Sequence, residues 1–201
     1  GEILGLFGLG GSGRTELLEC IFGYRALSAG TVLLDGKERP GLTPEEAIRS
    51  GMVLISEDRR GKAMIGNLSV RDNILLSSID TFSRRGVLRT KAGNGAAEEQ
   101  IESLHIKLAS PNQRMLELSG GNQQKAVFAR ALMTAPRIFL CDEPTQAVDV
   151  ATRSDIHHLL RRKADEGAGV LYVSSDLKEL LEVADNILVM ARGRTTVCWK
   201  N

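Results

Sequence analysis

Nowhere in these 201 residues does an apolar run approach the ~18–20 positions that a membrane-spanning helix requires. No charge of one sign dominates: 26 Lys and Arg face 25 Asp and Glu, a formal net charge of +1. That balance argues against a nucleic-acid footprint and against an acidic tail. No signal-peptide pattern opens the chain. Cysteine is scarce, and Cys20, Cys141 and Cys198 are widely spaced and odd in number. They fit reduced thiols in a cytosolic protein better than a disulfide framework, and without a C-x-x-C pair they suggest no zinc site. His157 and His158 are adjacent, whereas zinc pairs on a helix typically sit at i, i+4, so a solvated helix face is expected there. Internal repeats and low-complexity tracts are absent. The chain also lacks an initiator methionine and begins directly on "GEILGLFG", which reads as a domain excised from a longer polypeptide.

What is present suits one large domain, or a domain with an inserted lobe, and 42% apolar residues supply a core. Glu2 to Phe7 reads as a short strand. After a glycine loop a helix starts near Arg14, with Leu17, Leu18, Ile21 and Phe22 on one face. "GTVLLDGKE" predicts a hairpin turning at Asp35-Gly36. "TPEEAIRSG" predicts a short helix with Thr43 as N-cap, Pro44 at its first position and Gly51 beyond its end. "MVLIS", Met52 to Ser56, is a buried strand. From about Glu57 to Ala135 strand signals vanish and polar stretches connect helical patterns, so a helical lobe is expected over 58–134, between core segments 1–57 and 135–201. The basic run Arg84 to Lys91 reads as a solvated loop. Strands return at "RIFLC", "GVLYVS" and "NILVMA", the last turning at Arg192-Gly193 into a final strand. Helices are expected around Ile156, Leu159 and Leu160 and from Asp176 to Val183. Continuous apolar strands of this kind suit a buried, mostly parallel sheet.

"GLGGSGRT", Gly8 to Thr15, fits two phosphate-binding fingerprints. As G-x-x-x-x-G-K-[ST] it is a P-loop with Arg14 in the lysine position. As G-x-G-x-x-G it is a dinucleotide loop, with Asp35 about twenty residues on to hold a ribose hydroxyl. The pair Arg14-Thr15 favours the first. A P-loop needs a cation for the phosphates and a hydroxyl for Mg²⁺, and a dinucleotide loop has no use for that hydroxyl.

Two distal motifs decide between them. "RIFLCDEPT" ends an apolar strand in Asp142-Glu143. Beside a P-loop in a parallel sheet, one carboxylate can hold Mg²⁺ and the next can polarise an attacking water. "LSGGNQQK", Leu118 to Lys125, puts Ser119 where it caps a helix with the apolar face Val127, Phe128, Ala131 and Leu132. Two glycines just inside that cap leave backbone N–H groups uncovered, a ready anion site.

Together and in this order, LSGGNQQ, DEPT and the P-loop resemble the nucleotide-binding domain of the ATP-binding cassette (ABC) transporters over essentially the whole chain. With "GRTEL" and "VSSDL", the motifs are most similar to the second cassette of the tandem ATPase subunits that drive bacterial sugar importers of the ribose, galactose, xylose and autoinducer-2 type. The resemblance implies a P-loop α/β core with an inserted helical subdomain. It also implies that the family's N-terminal antiparallel strands, with their adenine-stacking aromatic, are truncated here. ATP would lie on Gly8, Leu9, Gly10, Gly11, Ser12, Gly13, Arg14, Thr15 and Glu16, with Mg²⁺ on Thr15 and Asp142 and water activated by Glu143. Leu118, Ser119, Gly120, Gly121, Asn122 and Gln123 would form the signature that completes a partner cassette's site in trans, and Asp149 would face that partner. The implied partners are a preceding cassette on the same polypeptide, membrane permease subunits and, indirectly, a periplasmic or extracellular sugar-binding protein, with no nucleic acid. The implied place is the cytoplasmic face of the bacterial inner membrane.

Three positions depart from the family. Arg14 replaces the P-loop lysine, a planar fork in place of a compact point charge. Glu57 in "ISEDRR" stands where the family has the glutamine that contacts Mg²⁺ and the attacking water. Ser175 in "VSSDL" stands where it has the histidine that contacts the γ-phosphate. A single lost oxyanion-type donor costs ~10²–10³ in rate, so this site is expected to be impaired while the signature remains intact. "NLSVRDNILL", Asn67 to Leu76, resembles the stretch that receives the permease, although Val70, Ile74 and Leu75 read as core. An autonomous ATPase domain of another ABC system and a DNA-repair ATPase of the superfamily are the neighbouring alternatives, and an NAD-binding dehydrogenase is a remote one.

Overall fold

The structure, a computed structural model, describes residues 1–84 and 87–200, without the side chains of 84, 87, 88 and 196–198. Arg85 and Gly86 of the basic run and the Cys198 thiol lie outside the described residues. Along the chain come β1 (Glu2–Phe7), α1 (Arg14–Phe22), β2 (Leu33–Leu34), β3 (Lys37–Glu38), α2 (Pro44–Arg49) and β4 (Met52–Ile55). Then follow α3 (Val70–Leu75), β5 (Ser83–Arg84), β6 (Val87–Leu88), α4 (Thr90–Ser103) and α5 (Gly120–Leu132). The last stretch holds β7 (Ile138–Asp142), α6 (Val150–Asp165), β8 (Gly169–Ser174), α7 (Leu177–Val183), β9 (Asn186–Ala191) and β10 (Arg194–Lys200). Two compact units result: Gly1–Leu54 with Pro136–Pro144 and Leu160–Asn201, and Ile55–Ala135 with Thr145–Leu159. The second takes in 145–159 as well, a stretch that the sequence pattern assigned to the core.

The first unit is built on a six-stranded sheet in the order β10-β9-β1-β8-β7-β4. β1 has parallel neighbours on both sides, with Leu4 opposite Leu171 of β8 and Asn186 of β9, and β7 runs parallel to β8. A parallel strand covered on both faces is apolar through its middle, which accounts for Ile3 to Phe7 and for Val170 to Val173. β10 closes the edge antiparallel to β9. α1 lays Leu18 and Phe22 onto Leu6, Leu140, Val173 and Met190, with Leu17 and Ile21 partly buried beside them. The β2–β3 hairpin turns at Asp35 (φ 54°) and Gly36 (φ 72°), the left-handed pair that a two-residue hairpin demands. α2 starts with a full capping box: the Thr43 hydroxyl accepts the Glu46 N–H and the Glu46 carboxylate accepts the Thr43 N–H.

The second unit is mainly helical. Val70, Ile74 and Leu75 of α3 are buried, as their apolar pattern predicts. α3 and α4 pack on α5, whose residues 126–129 are all buried. The expectation of a plain loop at Arg84–Lys91 is corrected. β5 and β6 pair antiparallel there, Ser83 opposite Leu88, and α4 begins at Thr90. Two-residue strands are too short to show an alternating pattern, so polar composition hid them.

Leu18 is fully buried whereas Leu33 is 62% exposed. Leu18→Ala is expected to cost about 2–5 kcal/mol in urea unfolding, and Leu33→Ala less than about 0.5 kcal/mol.

Candidate functional site

The glycine loop leaves β1 at Gly8. Gly11 (φ 76°) and Gly13 (φ 99°) adopt the left-handed conformation that lets the chain double back into α1. No side chain caps α1, so its first backbone N–H groups are left for an anion. The loop is tied down from below, where the Gly193 N–H donates to the Ser12 carbonyl at 2.8 Å. The Ser12 hydroxyl is buried and has no hydrogen-bond partner among the described residues. Leu9 and Glu16 project into solvent, with Leu9 71% exposed.

β8 separates β1 from β7. The acids at the end of β7 nonetheless meet the start of α1. The Thr15 hydroxyl donates to Asp142 Oδ2 at 2.8 Å. A hydroxyl and a carboxylate are hard oxygen donors, and Mg²⁺ takes one or two such protein ligands while keeping water and phosphate for the rest. Among the described residues no cluster of three or more His, Cys, Asp or Glu side chains competes as a metal site.

Glu143 is held more tightly than a free general base. Its backbone is left-handed (φ 44°), unusual for a residue with a side chain. Its Oε1 accepts from Arg14 Nη1 at 3.1 Å and from the Ser175 N–H at 2.7 Å. The Ser174 hydroxyl lies 3.4 Å from the other oxygen and donates at 2.8 Å to Glu179, which also accepts from the Tyr172 hydroxyl. Arg14 and Glu143 are both about nine-tenths buried. Arg14 and Ser175, both singled out from the sequence, therefore act on one carboxylate. Arg14 reaches it through Nη1, and Ser175, its side chain exposed, contributes its backbone N–H.

In the second unit α5 starts at Gly120 behind the exposed cap Ser119. Gly121 lies so close to α6 that an added Cβ would stand 2.5 Å from Thr152 Oγ1 and 2.9 Å from Asp149 Oδ2. Asp149 caps α6: its two oxygens accept the Thr152 N–H and hydroxyl, each at 2.9 Å. The Thr152 N–H foremost, then the hydroxyl, hold the Asp149 carboxyl below the usual carboxylate range. Leu118 and Gln123 turn inward. Gln123 donates to the Met115 and Leu118 carbonyls, which leaves Ser119, Gly120 and Asn122 at the surface of this helix start.

Sequence reasoning missed Arg59, Asn122 as a hydrogen-bonding centre, and Gln146. Arg59 Nη1 donates to Gln124, and its Nη2 lies 3.5 Å from where a Cβ on Gly120 would stand, so a cation flanks the helix start. Burial, then the neighbouring Arg60, lowers the Arg59 pKa. Gln146 Nε2 donates to Glu57 Oε1 at 3.1 Å. No spacing rule links residues this far apart. Asp35, the mark of the dinucleotide reading, belongs instead to the β2–β3 turn and accepts from Arg137 Nη1 at 2.9 Å.

A P-loop sheet unit with paired acids, and a helical unit carrying an LSGG helix start, define the architecture of an ATP-binding cassette. The chain belongs to the ABC transporter family, whose profile matches residues 1–146. It is 45% identical over 195 residues to the xylose import ATP-binding protein XylG of Pseudomonas fluorescens (strain Pf0-1), covering 96% of this chain and 38% of that one. It is 43% identical to the ribose import ATP-binding protein RbsA 1 of Rubrobacter xylanophilus (strain DSM 9941 / JCM 11954 / NBRC 16129 / PRD-1), covering 98% of this chain and 40% of the relative. The chain thus spans about two-fifths of the length of these curated relatives. The dimeric bacterial ABC transporter cassette MJ0796 superposes with a TM-score of 0.84 at 26% identity, covering 99% of this chain and 85% of that one. Its post-hydrolysis form bound to ADP and Pi gives 0.85 at 25% identity, with the same coverage.

Two outcomes follow from the geometry. Arg14→Met leaves a buried carboxylate without its cation and is expected to cost about 3 kcal/mol in urea unfolding. Most of that should return in the Arg14→Met/Glu143→Gln double variant. Gly121→Ala is expected to cost about 1–3 kcal/mol by forcing Thr152 and Asp149 aside, read in the same assay.

Proposed function

We propose that this chain is an ATP-binding cassette of a bacterial importer for sugars of the xylose or ribose type. In this reading it binds ATP at an impaired site of its own and supplies its signature helix start in trans to a partner cassette. The observation that carries the reading is the contrast between the two helix starts. At α1 the water-activating carboxylate is already engaged by Arg14 and the Ser175 N–H. At α5 the Ser119 and Gly120 surface is open, with a cation beside it. The names of the relatives support the substrate class, and the dimeric cassette among the structural neighbours supports an arrangement in pairs.

In this account the amides of Gly8 to Thr15 cradle the phosphates. Mg²⁺, held by Thr15 and Asp142, would neutralise charge on the phosphate oxygens. Phosphoryl transfer depends on positioning and charge stabilisation. Arg14, Glu57 and Ser175 all alter that positioning, so turnover here is slow. Ser119, Gly120 and Gly121 instead grip a γ-phosphate bound by the other cassette, with Asp149 near the same junction. Glu57 and the residues after it relay nucleotide state to the permease. The subunit works peripherally at the cytoplasmic face of the inner membrane. Among the described residues no helix is long and apolar enough to cross a membrane. Its remaining partners are a preceding cassette on the same polypeptide, permease subunits and a sugar-binding protein outside.

The test is made in the full-length subunit within its transport complex. Ser119→Ala is expected to lower transport-coupled ATPase at least about tenfold, within the cost of a lost oxyanion donor, and Glu143→Gln to lower it less. If Glu143→Gln proves the more damaging change, the division of labour is wrong.

A further inference from the structure

Ser119 does not stand alone at the start of α5. Asn122 Nδ2 donates to Ser119 Oγ at 2.9 Å, and the Asn122 backbone N–H approaches the same oxygen at 3.5 Å. The Asn122 amide cannot be turned around. Its Oδ1 accepts the Lys107 N–H at 2.8 Å, and flipping it would set two donors against each other. A serine hydroxyl has one proton and two lone pairs. Here both lone pairs face Asn122, and the proton has no acceptor among the described residues. That proton therefore points away from Asn122, out of an exposed helix start.

We infer that Asn122 is a positioning residue: it fixes the Ser119 hydroxyl as a donor before any phosphate arrives. The inference rests on the trans reading above and adds the group that orients the donor. An unoriented hydroxyl must give up rotational freedom, and often a competing hydrogen bond, when the anion comes. A preset one makes its bond at no such cost, which is how preorganised donors favour a transition state. Lys107 belongs to the mechanism only through its backbone, so any residue but proline serves there.

Asn122→Asp is the discriminating change. The carboxylate keeps an acceptor for the Lys107 N–H but cannot donate to Ser119, so the serine proton turns inward to it. Asn122→Ala is the uncharged companion, and thermal unfolding checks that both fold. ATPase is measured in the full-length subunit within its transport complex, alone and in a Ser119→Ala background. The expected result is a kcat at least about tenfold lower in Asn122→Asp, close to that of Ser119→Ala. KM for ATP should move less than about twofold, because the bond forms only once the two cassettes close. In the Ser119→Ala background neither Asn122 change should lower the rate further, since residues acting through one bond are not additive. Asn122→Asp at the parental rate beside a slow Ser119→Ala overturns this inference alone. So does a loss that persists undiminished when Ser119 is already alanine, which would mean a charge or folding effect. Ser119→Ala at the parental rate overturns the trans reading and this inference with it.

Discussion

Backbone N–H groups at the start of a helix have no partner within that helix, and glycines mark this point at α1 and α5. At α1 the cap is glycine, which has no side-chain oxygen to offer the first amides. At α5 the cap is a serine followed by two glycines. Much of the surrounding structure serves to hold these starts still. Parallel strands on both sides of β1 fix where the loop begins, and the Gly193–Ser12 bond pins it. In the second unit, Asp149 and Thr152 crowd against Gly121 so closely that a Cβ there would force them aside. Oriented amides are strong anion ligands because their direction is set in advance.

The ion pair of Arg14 with Glu143 gives the first of these starts a particular character. Each of these buried charges is answered by the other, and in the proposed function a phosphate would compete with Glu143 for the guanidinium. The Ser175 N–H adds a further donor to the same oxygen. Residues far apart in the chain thus converge on one carboxylate. Among the described residues nothing comparable engages Ser119, whose hydroxyl accepts from Asn122 and has no acceptor for its own proton.

Local chemistry made part of this legible. β1, β7 and β8 announce themselves as apolar runs, the hairpin through Asp35-Gly36, and α2 and α5 through Thr43 and Ser119, because each signal lies within a few residues. The P-loop and the paired acids were visible for the same reason. The rest depends on partners that the chain brings together from afar: Arg14 and Glu143 are 129 positions apart, Asp35 and Arg137 102, Glu57 and Gln146 89. Neither periodicity nor spacing encodes such pairs. The order of strands is likewise set by packing, so the placement of β8 between β1 and β7 could not be read from their similar compositions. Asn122 was visible as part of a motif, but its role depends on Lys107, a residue with no motif of its own.

The central claim is that the start of α5 grips a triphosphate held by another cassette. A cryo-EM structure of the complete subunit, hydrolysis-arrested and loaded with ATP and Mg²⁺, tests it most directly. The account predicts a γ-phosphate oxygen within about 3 Å of Ser119 Oγ, with that nucleotide's remaining phosphates on the other cassette's loop. A closed, ATP-loaded subunit in which this helix start faces solvent with no phosphate near it would contradict the account.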